Sequence, residues 1–186
     1  MSRKSIFITI LLVFVSTLVF ADGIKLSLKD SAKFRKESIS FRASFVSTQV
    51  IMAGREHRST SGLSVEGGYR YNIRDGLVVG GDLKYSTFNF TERRAKYLVL
   101  TLSPKIGWTQ KLDARWTVSA VLGIGAQLRY IGDRHGIFFG VNLYLGAGYA
   151  IRERFVLTAG AEADLAFQKN SKDLTIDPMI GFAYLF

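Results

Sequence analysis

The chain of 186 residues is long enough for one domain and carries no Cys, which excludes a disulfide framework and a lipid-modified N-terminal cysteine. It is basic, with a formal charge of +10, and 48% hydrophobic, yet after Ala21 no stretch reaches the run of about twenty apolar residues that a membrane-spanning helix needs. With two His, scattered carboxylates and glycines confined to strand-like and turn-like stretches, it shows neither a metal-ligand spacing nor a phosphate-binding loop, so no metal and no cofactor are expected.

In chain order, "MSRKSIFITILLVFVSTLVFA" sets Arg3 and Lys4 ahead of an uncharged apolar run that closes on small Ala21, the pattern of a cleaved secretory signal peptide at 1–21. Residues 22–37, "DGIKLSLKDSAKFRKE", read as a periplasmic arm, and 38–186 as a single barrel domain. In that domain, apolar and polar residues alternate with period two in eight segments, the signature of membrane-crossing β-strands. The first, Ser38 to Ile51, sets Ile39, Phe41, Ala43 and Phe45 against Arg42 and Ser44; the second, Gly62 to Tyr71, sets Leu63, Val65, Tyr69 and Tyr71 against Glu66 and Arg70. The third, Leu77 to Phe88, opposes Leu83 and Tyr85 to Asp82 and Lys84, and the fourth, Tyr97 to Trp108, opposes Leu98, Leu100, Leu102, Ile106 and Trp108 to Thr101, Ser103 and Lys105.

The fifth, "WTVSAVLGIGAQLRY", alternates strictly from Trp116 to Tyr130, longer than the usual five or six residues of a globular strand and bracketed by aromatics. Ile137 to Ile151, Phe155 to Phe167 and Leu174 to Phe186 complete the set, with Glu162, Asp164 and Asp177 on polar faces. Pro104 and Pro178 each remove an N–H from a ladder, so bulges are expected at both. The reading is an all-β, eight-stranded antiparallel up-and-down transmembrane β-barrel. A soluble barrel is the alternative fold, but it would place the apolar faces inside and the charges in water.

Short polar stretches, Asn72 to Gly76, Thr109 to Arg115 and Arg152 to Arg154, fall at every second junction and read as periplasmic turns. The outer connections are expected near Ala53 to Ser61, Asn89 to Lys96, Ile131 to Gly136 and Gln168 to Asp173. Aromatics then form two girdles at the lipid–water interfaces. Tyr69, Tyr71, Trp108, Trp116, Tyr149, Phe155 and Tyr184 belong to the periplasmic one, and Tyr85, Tyr97, Tyr130, Phe139 and Phe167 to the outer one.

The end of the chain, "PMIGFAYLF", alternates Phe182, Tyr184 and Phe186, and resembles the C-terminal signal of bacterial outer-membrane proteins. That resemblance implies recognition by the barrel assembly machinery. The whole barrel region resembles the small eight-stranded outer-membrane barrels of the OmpA transmembrane domain, OmpX and OmpW type. It departs from OmpX-like proteins in showing no long protruding strands, and from full-length OmpA in showing no peptidoglycan-binding domain. What this implies is a monomer in the bacterial outer membrane, contacting lipid, with no enzymatic activity.

The inward charges Arg42, Glu66, Arg70, Asp82, Lys84, Lys105, Arg129, Glu162 and Asp164 form a mixed-sign set inside a lumen that side chains of eight strands are able to fill. They are read either as a self-satisfied polar plug, giving a structural envelope role, or as the lining of a narrow passage for ions or small solutes. The inward glycines Gly123, Gly125, Gly146 and Gly148 leave space for both. Arg55, Arg58, Arg93, Arg94, Lys96 and Arg134 make the outer connections basic, which suits an anionic lipid or glycan as a surface partner, and nucleic acid is not expected. Finally, His57 two residues before Ser59 resembles the His-x-Ser of lipid A deacylases, which would make Ser59 a nucleophile; the family's following Asn is Thr60 here.

Overall fold

The structure, a computed structural model, describes residues 37–53, 56–74, 76–89, 96–131, 134–168 and 171–186. The expected leader at 1–21 and the expected arm at 22–37, all but its last residue, lie outside the described residues; that residue, Glu37, opens the first strand. Eight strands follow: β1 (Glu37–Ala53), β2 (Glu56–Arg74), β3 (Leu77–Asn89), β4 (Lys96–Lys111), β5 (Trp116–Ile131), β6 (Arg134–Arg152), β7 (Phe155–Gln168) and β8 (Ser171–Leu185). Each pairs antiparallel with its neighbours, and β8 closes back onto β1. Closure leaves no unpaired edge, the condition for β-structure in hydrocarbon.

The period-two pattern decides which way each residue points. Glu66, Asp82, Lys84, Lys105 and Glu162 are buried within the tube, while their outward neighbours Leu83, Leu102, Ile106 and Ile124 are exposed, Ile124 by 67%. A soluble barrel would show the reverse. Polar inside and apolar outside is a transmembrane barrel.

The strands exceed the sequence reading. A tilted strand needs about 9–11 residues to cross the hydrocarbon, and these run from 13 residues in β3 to 19 in β2 and β6. The expected absence of protruding strands is therefore corrected, because pairing continues into segments read as outer loops. Ile51↔Arg58, Asn89↔Lys96 and Ile131↔Arg134 are all ladder partners. What separates the strands at this far rim is only 54–55, 90–95, 132–133 and 169–170.

At the opposite rim, where β1 begins and β8 ends, the turns match their expected places. Gly76 has φ of 90°, a left-handed conformation that favours glycine, and its carbonyl accepts from Thr109 N at 2.8 Å. The carboxylate of Asp113 accepts from the backbone N of Arg115 and Trp116 at 2.6 and 2.7 Å, closing the β4–β5 turn. Those two donors hold the Asp113 carboxyl below the usual carboxylate range.

The prolines behave differently from expectation. The β7–β8 ladder passes through Ala161↔Pro178 without a shift, and the bulge lies instead on β1, where the register jumps from Ser44↔Ser64 to Ser47↔Gly62. Against β8 the same strand passes from Ala43↔Ile180 to Thr48↔Ile176, so Pro178 falls in the interrupted stretch, where no β1 partner requires its N–H. Phe45 and Val46 consequently both face outward. Pro104 forms no bulge: β4–β5 pairing stops after Leu102↔Ala126 and resumes at Lys105↔Gly123 in unchanged register.

Candidate functional site

The lumen holds two apolar clusters and an ionic network. Nearest the terminal rim, Val78 on β3, Val121 on β5 and Tyr144 on β6 pack into an apolar cluster. Toward the far rim, Phe88 on β3 with Tyr97 and Val99 on β4 form a second. A continuous ionic network of buried side chains adjoins the first cluster.

Arg42 bonds Glu66 and reaches Asp82 at 3.2 Å, and Arg70 forks onto the same Asp82 with its second contact at 2.6 Å. Lys105 bridges Asp82 at 3.3 Å to Glu162 at 2.6 Å. Lys84 is held by three carboxylates: Asp164, Glu162 at 3.0 Å and Asp177 at 2.5 Å. The Arg42 guanidinium also lies 4.0 Å from the Tyr144 ring centroid, tying the network to that cluster.

Eight of the nine charges expected in the lumen come together in this network. The ninth, Arg129, sits higher. It bonds Asp173 and Gln127, the latter at 2.6 Å, and lies 3.7 Å from the ring centroid of Phe138 and 5.8 Å from that of Tyr97. Two carboxylates were missed by the sequence reading. Asp177 was recognised as inward but not as a partner for Lys84. Asp173 was assigned to an outer connection, yet it lies on β8 and is buried.

Tyr97 is corrected as well. Read as a girdle residue, it is 2% exposed and packs against Phe88 with tilted rings, centroids 5.9 Å apart, inside the lumen. Strand parity requires this, because Tyr97 shares its face with Val99, Thr101 and Lys105. The remaining girdle residues face outward at their expected rims.

The inward glycines are filled by their neighbours. A Cβ on Gly123 would meet Lys105 Cδ at 2.6 Å and Ser103 Oγ at 2.7 Å, and the Tyr144 hydroxyl occupies the space beside Gly146. Near Lys84 and Asp164, bordered by Gln49, Thr101, Gln127 and Thr175, a cavity of about 10 Å³ remains, on the order of one water. Among the described residues, every charge of the lumen except Arg70 is at most 4% exposed, and Arg70 is partly buried.

No metal spacing is visible in the sequence, but folding brings carboxylate oxygens of Glu66, Asp82 and Glu162 within 4.8 Å of one another. Arg42, Arg70 and Lys105 bond this trio, three cations of the chain itself against three carboxylates. The basic far-rim positions divide. Arg58, Lys96 and Arg134 lie on β2, β4 and β6, while Arg55, Arg93 and Arg94 are outside the described residues. His57 and Ser59, expected in an outer loop, are at alternate positions of β2, paired in the ladder with Met52 and Val50.

No family model and no curated protein sequence matches this chain. Solved structures do. Neisserial surface protein A aligns with a TM-score of 0.61 at 12% identity, over 81% of this chain and 97% of that one. Ail, the attachment invasion locus protein of Yersinia pestis, solved with the heparin analogue sucrose octasulfate, aligns at 0.50 and 14%, over 81% and 99%. The outer membrane enzyme PagL aligns at 0.50 and 17%, over 76% and 99%. Such identities speak for the fold, and the fold is that of the small eight-stranded bacterial outer-membrane barrels.

Proposed function

We propose that this eight-stranded barrel of outer-membrane type is a closed structural protein of the bacterial envelope, its lumen a plug of ion-paired side chains. The observation that carries the reading is burial. A conducting path wets the charges that line it, whereas here all the described lumen charges but Arg70 are at most 4% exposed and each is paired with another charge. The refolded chain in a planar bilayer is expected to insert without unit conductance steps. Discrete openings whose ion selectivity moves in Lys84→Met would overturn the reading and make the network a conduction path.

Assembly enters through Phe182, Tyr184 and Phe186, the proposed signal for the barrel assembly machinery. Phe182 and Tyr184 pack on Phe155 at 6.1 and 5.7 Å, and Tyr184 on Phe186 at 5.1 Å, forming an aromatic seam beside the closing strand. Phe186→Ala is expected to lower assembly in cells while leaving the refolded barrel intact. The reading contains no catalytic step, so Ser59→Ala is expected to leave lipid A acylation unchanged.

A second reading, capture of an anionic lipid or glycan at the far rim, is favoured by the repeated position of Arg58, Lys96 and Arg134 near the opening ends of β2, β4 and β6. Replacing all three with Gln is expected to weaken retention on a sulfated-glycan column. Unchanged retention removes this reading and leaves the first intact.

A further inference from the structure

At the terminal rim the same small arrangement occurs twice. Arg115 precedes Trp116, the first residue of β5, and Arg154 precedes Phe155, the first of β7. The carbonyl of Arg115 accepts from Ala150 N at 2.8 Å while its Nη1 donates to the hydroxyl of the preceding Tyr149 at 2.9 Å. The carbonyl of Arg154 accepts from Leu185 N at 2.9 Å while its Nη1 donates to the hydroxyl of Tyr184 at 3.4 Å. In each case the aromatic after the arginine packs on that tyrosine: Trp116 on Tyr149 at 5.0 Å, Phe155 on Tyr184 at 5.7 Å.

From this repeat we infer that the Arg115–Tyr149 and Arg154–Tyr184 pairs are two binding sites for the phosphodiester of a phospholipid headgroup. The inference rests on the barrel spanning a bilayer, which sets this girdle at headgroup depth. A tyrosine hydroxyl that accepts from arginine keeps its own proton to donate, and the guanidinium has further N–H groups in a fork that matches phosphate. Arg115 and Arg154 are exposed, and the charge suits an anion: the two turns carry Lys111, Arg115, Arg152 and Arg154 against Asp113 and Glu153. Asp113 already accepts two backbone N–H groups.

Exposed Trp116 and Phe155 beside the donors point to a lipid rather than free phosphate, since inorganic phosphate has no apolar part to set against them. The β2–β3 turn carries Gly76 and Leu77 at the equivalent place, so two sites are expected there rather than three.

The test is native mass spectrometry of the full chain, refolded in detergent, with added dioleoylphosphatidylglycerol. Wild type is expected to retain up to two lipids. Arg115→Gln and Arg154→Gln each lose one site, with retention down about tenfold, the loss of one charge-assisted pair. Tyr149→Phe and Tyr184→Phe keep the ring contacts and are expected to show a smaller loss, whereas Lys172→Gln at the far rim changes nothing. Equal retention by the double arginine variant, or wild type that keeps no lipid, overturns the proposal. Displacement by inorganic phosphate at equal concentration overturns its lipid specificity. Circular dichroism of each variant separates loss of a site from loss of the barrel.

Discussion

Lys84 faces Glu162, Asp164 and Asp177 at once, so its removal leaves three buried carboxylates with one cation fewer. Lys84→Met is therefore expected to destabilise the refolded barrel by about 3–5 kcal/mol in urea titration, the cost of breaking a buried charge set by removing one partner. Adding Asp177→Asn should recover part of that loss, because the two side chains share one network. Gly123 has a different limit: Gly123→Ala would press on Lys105 and Ser103, and overpacking of that kind costs about 1–3 kcal/mol by the same titration. At the terminal rim Asp113 sets a pH dependence. Its folded pKa is depressed, so its contribution to the β4–β5 turn is present above the unfolded value of about 3.9 and is lost as pH falls through the folded one. The protection factor of the Trp116 amide, its exchange rate relative to the unstructured chain at the same pH, should fall across that acid range in wild type and show no such step in Asp113→Asn.

Among the elements, β1 carries the extra residue that the closed ladder accommodates. Deleting Val46 removes the bulge and obliges β1 to pair across Pro178, which has no N–H to give. The variant is expected to fold in lower yield and to lose about 1–3 kcal/mol of stability. The other strands were legible because alternation is a local property: knowing that Leu83 faces out is enough to know that Asp82 and Lys84 face in. The bulge was not, since Phe45 and Val46 read simply as two apolar neighbours and nothing nearby in sequence marks the interruption. Asp173 was lost for a related reason. "NSKD" looks like a loop, and the Arg129 that holds Asp173 inside is 44 residues away in the chain. Parity therefore gives the side of the wall on which a charge stands, while its partner depends on a distance across the lumen that no local pattern encodes. Tyr97 shows the converse: its parity was visible, but its place at a strand end beside other aromatics suggested a girdle.

The molecule as a whole inverts the soluble pattern, and one substitution distinguishes the two environments. Ile124 is an outward residue of β5 within the apolar belt. On a soluble surface Ile124→Arg would change stability by no more than about 0.5 kcal/mol, whereas facing hydrocarbon near the bilayer midplane it is expected to cost about 2–4 kcal/mol. Folding titrations in phospholipid vesicles measure the difference directly. Closure of the ladder has one more consequence. Phe186 N donates to Glu37 O at 2.9 Å, so the first and last described residues are a single hydrogen bond apart on one rim. The polypeptide thus departs from the wall where it entered, and a short linker joining these two positions would make the chain a ring. The wall could then be cut open at another hairpin, giving a permuted protein with the same eight neighbours in the same order around the tube.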